Sequence, residues 1–260
     1  MENERSIVPL GSPGSRPGFI SGLLTPWRGF RFLFAHPRLL SYALLPLIIN
    51  TVLFIIFFLI GFRYFSRWLE ALLPQGQAWY WVILTYLLTV ILALLLLLVI
   101  VFIFAAVANI LASPFNDALS ARTEALAAGQ LAETPFSFAD LFKEIGRTII
   151  EELKKIAFYL AAVAILLLLN LVPMAGQALY GLLFTLLTIV WLGLTFLDYA
   201  LARHGYRLGQ KLNLVRRNFR PVFGFGLGVF AGLLIPVFNL LFIPVAVVGG
   251  TLLYVDLTET

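Results

Sequence analysis

The sequence contains no cysteine, which excludes disulfides, thiolate nucleophiles and cysteine-ligated metals. It has only two histidines, His36 and His204, each isolated in the chain, so a histidine-based metal site is not expected. Charge is scarce as well: acidic and basic residues make up 12% of 260 residues, where soluble domains carry about 25%. There is no Walker loop, no HExxH pair and no nucleophile elbow. No enzyme activity, metal or cofactor is therefore expected. Residues 1–38 lack a short apolar core before a small-residue cleavage site, so no cleavable secretory leader is expected. The net charge of +5 comes without any recognisable nucleic-acid-binding module, and positive loops at a membrane face account for it more simply.

What the sequence does have is apolar: 61% of its residues are hydrophobic. Apolar runs of about 18 residues or more mark transmembrane candidates. Runs lie near 39–61, 79–112, 156–172, 178–202, 222–235 and 240–255. The expected fold class is an all-α integral membrane protein. Residues 1–20 read as a disordered arm and 21–260 as a single membrane domain. Residues 21–38 alternate aromatic residues with Arg28, Arg31 and Arg38, the pattern of an amphipathic helix lying in the interface. The run 79–112 would be about 50 Å long as a helix, well beyond a hydrocarbon core of about 30 Å. Residues 113–155 form the largest polar region and read as a cytoplasmic helical segment. Its opening, Ser113-Pro114-Phe115-Asn116, predicts a helix break with Asn116 or Asp117 as the cap.

Basic residues set the expected orientation. Residues 1–38 hold five, 113–155 five and 203–220 six, while the loop 62–78 holds only Arg63 and Arg67. The positive-inside rule puts both termini in the cytoplasm and the 62–78 loop outside. Two turns then stand out: Val172-Pro173-Met174-Ala175-Gly176-Gln177, and the step Ile235-Pro236 followed by Asn239. Both are uncharged and flanked by apolar helix. The leg 222–235 would be roughly 21 Å long, short for a span. Two half-penetrating hairpins, 156–202 and 222–255, are therefore expected beside two long spanning helices near 39–61 and 79–112. Such turns are tolerated at depth only where protein or a wet cavity covers them.

Few side chains offer chemistry. Arg28, Arg31 and Arg38 are the candidate anion ligands, since guanidinium suits tetrahedral oxyanions; the competing role is that of snorkelling anchors. Asn116, Asp198 and Asn239 are candidate polar groups of a pore or of the structure. Asp198 is either a membrane-embedded functional acid or an interfacial acid paired with Arg203 or Arg207. Gly224, Gly228 and Gly232 recur every four residues, a spacing that permits close helix approach.

Five stretches carry a wider resemblance: RGFRFLFAHPRLLSYALLPLIIN, ANILASPFNDALSARTE, ELKKIAFYLAAVAILLLLNLVPMAGQ, FLDYALARHG and GFGLGVFAGLLIPVFNLLFIPVAVVGGT. In order and spacing, from about residue 22 to 256, the chain resembles the CysZ-type sulfate permeases of the etoposide-induced-protein domain family. The resemblance implies sulfate uptake for cysteine synthesis across a bacterial inner membrane, half-penetrating hairpins in a lipid bilayer, and assembly as a homo-oligomer. It also implies an Arg-Arg sulfate site after a Pro-Gly step near the first helix. Here the matching stretch is HPRLLSY: Arg38 replaces the glycine, and Leu40 and Ser41 stand at the pair's positions. A permease or channel for sulfate or a similar oxyanion is the leading reading, and a non-transporting membrane scaffold is the alternative.

Overall fold

The computed structural model describes residues 17–72, 79–129, 138–235 and 238–258. They form eight α-helices and no strand: α1 (Phe19–Ala35), α2 (Pro37–Leu72), α3 (Trp79–Ala127), α4 (Phe138–Leu167), α5 (Ala175–Arg203), α6 (Leu208–Arg217), α7 (Phe219–Leu233) and α8 (Phe238–Thr258). Four stretches are long and apolar enough to cross a membrane: Pro37–Gly61, Val82–Phe104, Leu153–Leu171 and Ala175–Arg203. The chain is an all-helical membrane protein. The proposed arm at 1–20 lies outside the described residues up to position 16, as does the centre of the polar segment at 130–137.

The break expected at Ser113–Asn116 does not occur. α3 runs unbroken for 49 residues with Pro114 inside it. A proline removes one helical hydrogen bond, but the flanking turns hold the rod together. Asn116 is accordingly a buried mid-helix residue, not a cap. At 1.5 Å per residue α3 is about 73 Å long, more than twice the hydrocarbon thickness, so it extends beyond the bilayer. The described part of the polar segment 113–155 thus consists of the end of α3, the turn after it and the start of α4.

The helices group into two compact units, one holding the chain up to Ala43 together with Asn116 onward, the other Leu44–Phe115. The second unit is a hairpin of apolar helix. Phe54 meets Phe104 edge-on at 5.3 Å, and Gly61 accommodates the tip of Ile100. None of the window in Val82–Phe104 is fully buried, and most of its apolar side chains face outward. A helix that is apolar on every face and covered by protein only in part suits lipid as its solvent.

The core lies in the first unit, where α1, α5, α7 and α8 pack together. Leu197, Ala200, Leu201, Val222, Phe225, Val229, Ala246 and Val247 are completely buried there. Glycines stand at the crossings. Gly22 abuts the Pro221 carbonyl, Gly224 abuts Phe19, and Gly228 faces the Leu23 carbonyl and Pro26, so α1 and α7 run in the same direction. On the opposite face of α7, Gly226 meets Ile189 and Gly193 of α5, which runs the other way. Gly29 of α1 touches Gly249 of α8, and Gly250 touches Phe196 of α5. Gly232, the third member of the stripe, meets the Phe242 ring instead. Small residues let backbones approach where apolar side chains gain little by leaving lipid.

The helix expected at 21–38 is therefore α1, and it is a packed element of the bundle. It buries Gly22, Thr25, Pro26, Gly29, Phe32 and Leu33 and leaves Ile20 and Trp27 exposed.

The glycine contacts give a direct prediction. A side-chain carbon on Gly228 would sit 2.7 Å from the Leu23 carbonyl oxygen, whereas nothing lies within 4 Å of one on Gly181. Gly228→Leu should lower stability by about 1–3 kcal/mol or more through overpacking. Gly181→Leu should be neutral or slightly stabilising. Thermal unfolding of both variants in detergent checks this, and equal melting temperatures would count against the packing role.

Candidate functional site

Apolar helices fill the first unit, so each ion in it needs a partner or an outward path. Among the described residues the inward-facing ions form three nodes. In the first, Arg28 of α1 grips Asp256 of α8 with both Nη atoms, at 2.5 and 3.3 Å, and its side chain is 17% exposed. In the second, Glu124 of α3 accepts from the Arg203 guanidinium and from His204 Nε2, the latter at 2.6 Å. Arg203 also donates to the Asp117 carbonyl at 3.4 Å and to Ser120 Oγ at 3.3 Å. Ser120 and Thr251 exchange a fully buried hydroxyl bond of 2.8 Å beside it. Burial raises the Glu124 carboxyl, but the bonds from Arg203 and His204 outweigh that and hold it below the ordinary carboxylate range.

The third node is the most deeply buried. Asp198 of α5 receives the Lys155 ammonium of α4 on Oδ2 at 2.6 Å and the Lys211 ammonium of α6 on Oδ1. Asp198, Lys155 and Lys211 all lie in the buried class. Nearby, Glu151 accepts the Leu208 N–H at 3.1 Å and caps the start of α6. The bond from Lys154, then that from Leu208, hold the Glu151 carboxyl below its usual range.

The sequence-derived candidates thus part company. Arg28 is committed to Asp256. Arg31 lies one turn further along α1 and is exposed; Arg38 opens α2 beyond the His36 link and is exposed too. Among the described residues, no ion pair reaches Arg31 or Arg38. Asn116 donates to the Tyr199 hydroxyl at a long 3.4 Å. Asn239 falls in α8, but its side chain is outside the described residues.

Asp198 is paired, as an interfacial acid would be, but not with Arg203 or Arg207. Residues five apart on a helix point to different sides, so Arg203 turns to Glu124 while Asp198 turns to the lysines. Lys155, Lys211, Glu124 and Asp256 went unnoticed in the sequence. The one available signal was their rarity: a charge next to an apolar run must be matched somewhere.

Comparison with known proteins then places the chain. The family described as Sulfate transporter CysZ/Etoposide-induced protein 2.4 matches residues 25–244. The chain belongs to this family. Relatives include proteins named sulfate transporter CysZ from Pseudomonas paraeruginosa, 34% identical over 226 residues (86% of this chain and 90% of the relative), and from Pseudomonas fluorescens, 35% identical over 223 residues (86% and 89%). The relative of the same name from Pectobacterium atrosepticum is 30% identical over 264 residues, 98% of this chain and 95% of its own length. The match covers the ion pairs of the second and third nodes, while Asp256 of the first and Thr251 beside the second lie past the family boundary.

Proposed function

We propose that this protein is a permease for sulfate or a similar oxyanion in a bacterial inner membrane, feeding cysteine synthesis. The observation that carries the reading is kinship along nearly the whole chain with proteins named sulfate transporters. That kinship favours transport over the scaffold alternative and over an enzyme. Arg31 and Arg38 are the oxyanion ligands in this reading, because they present guanidinium donors with no acid competing for them. Arg28 belongs to the same set, but it must first let go of Asp256 to reach an anion. The protein acts as a homo-oligomer in the bilayer, with both termini cytoplasmic, in keeping with the basic segments at 1–38, 113–155 and 203–220.

Two helical hairpins penetrate the membrane only in part. α7 has 15 residues and so measures about 22 Å, well short of the hydrocarbon core. α5 measures about 33 Å from Ala175 to Leu197, so the case for the α4–α5 hairpin rests on its uncharged turn.

Uptake of labelled sulfate into liposomes containing the purified protein tests the function, with selenate and phosphate as competitors. Arg31→Gln with Arg38→Gln should abolish saturable uptake. A charged hydrogen bond to an anion contributes about 1.5–3 kcal/mol, so each single variant should weaken sulfate at least tenfold. Uptake at the level of empty liposomes would overturn the permease reading. Normal uptake by the double variant would leave these arginines as membrane anchors.

A further inference from the structure

The cations of the first unit divide by the direction they face. Those turned inward are matched: Lys155 and Lys211 by Asp198, Arg203 by Glu124, Arg28 by Asp256. Those at the joint between α6 and α7 are not. Arg216, Arg217 and Arg220 are exposed on either side of Asn218, and among the described residues no acidic side chain pairs with them. The local fold explains why. Lys211 and Val215, one turn apart on α6, are its buried residues, which sends Asn213, Arg216 and Arg217 to the outer side.

An apolar ledge adjoins this cationic corner. Phe219 is 51% exposed between Arg217 and Arg220. Its ring stacks on Phe223 at 5.5 Å, and Phe223 stacks on Phe19 at 6.2 Å. From there α7 continues as an almost wholly apolar helix to Leu233. Three unmatched guanidiniums therefore stand beside an exposed aromatic ring at the head of an apolar helix.

We propose that this corner docks the headgroups of anionic phospholipids. Guanidinium forms forked hydrogen bonds with phosphate oxygens, and three such groups select a negatively charged headgroup over a zwitterionic one. A free inorganic oxyanion would satisfy the arginines but has no use for Phe219. A phospholipid carries both parts, a phosphate and an acyl boundary where an aromatic ring settles. The lipid then fixes the depth at which α7 enters the bilayer, and with it the depth of the hairpin turn.

The test needs no sulfate transport. Binding of a fluorescent phosphatidylglycerol to the full-length protein in mixed micelles is measured with phosphatidylcholine as competitor. Basic residues near an anionic surface contribute about 1 kcal/mol each, roughly fivefold in affinity. The triple variant Arg216→Gln, Arg217→Gln, Arg220→Gln should lose about a hundredfold while wild type keeps its preference. High salt should erase the wild-type preference, which checks the charge dependence without any mutation. Equal selectivity in the triple variant, or selectivity that survives high salt, overturns the proposal. So does displacement of the lipid by millimolar inorganic phosphate, which would mark the corner as a free-oxyanion site.

Discussion

Asp198→Ala should destabilise the protein by about 3–5 kcal/mol, the usual effect of removing one partner from a buried ion pair. The reason is what remains. Lys155 and Lys211 would keep their ammonium groups in the buried class without the carboxylate they both face. Their route to water is poor, because Lys211 sits on the inner side of α6 and Lys155 on the inner side of α4. Loss of the carboxylate should loosen three helices at once, since the node joins α4, α5 and α6. Replacing Asp198 by Leu together with both lysines by Met should recover most of the loss, because apolar residues of similar volume often substitute for a buried ionic cluster. Thermal unfolding in detergent distinguishes the cases. A single variant as stable as wild type would show that water reaches the lysines and that the node does not hold the helices.

Ala175→Lys should disfavour membrane insertion by about 2.5–3.5 kcal/mol if the α4–α5 turn lies inside the hydrocarbon core. The turn itself suits that environment. Residues 168–171 tighten into a 3-10 turn, and Met174 takes φ 59° and ψ −65°. The Ala175 N–H closes back on the Pro173 carbonyl at 2.7 Å, a compact turn of the rare, strained γ type. The Gly176 N–H reaches the Val172 carbonyl at 3.1 Å, so two of the reversal's N–H groups are satisfied within the turn itself. Gly176 also packs on Leu169, where a larger residue would not fit. Around it Leu171 is 79% and Met174 87% exposed, an apolar tip with no protein cover in the single chain. Lower expression of Ala175→Lys, with an Ala175→Cys variant that resists impermeant thiol reagents from outside, is the expected result. Normal expression with strong external labelling would make this hairpin a full pair of spans.

Much of the architecture was legible from the residues alone. Apolar runs fix helix and membrane together, because a bilayer admits only segments that satisfy their own backbone, and helices do so locally. The apolar pair 156–202 therefore declared two helices joined by an uncharged turn, and the four-residue spacing of Gly224 and Gly228 declared a close helix contact. Which helix would make that contact was not legible. Gly22, Gly29, Gly193 and Gly250 matter through neighbours more than 20 residues away in the chain, and no local period encodes such a crossing.

The proline in Ser113-Pro114-Phe115 shows the opposite failure. Local preference predicted a break, and the long helix overrode it. Charge behaved in the same way. The sequence by itself determined that Asp198 and the arginines must be matched or turned outward, since an unpartnered ion in an apolar bundle is costly. Only the tertiary structure decided which. The register drifts along the α4–α5 hairpin: Leu169 faces Gly176, Tyr159 stacks on Trp191 at 4.6 Å, and Lys155 reaches Asp198. Ion pairing acts over a few ångströms, so that drift brings Lys155 to Asp198, while the approach of α6 adds Lys211, and the separate packing of α1 on α8 commits Arg28 to Asp256 and leaves Arg31 and Arg38 facing out.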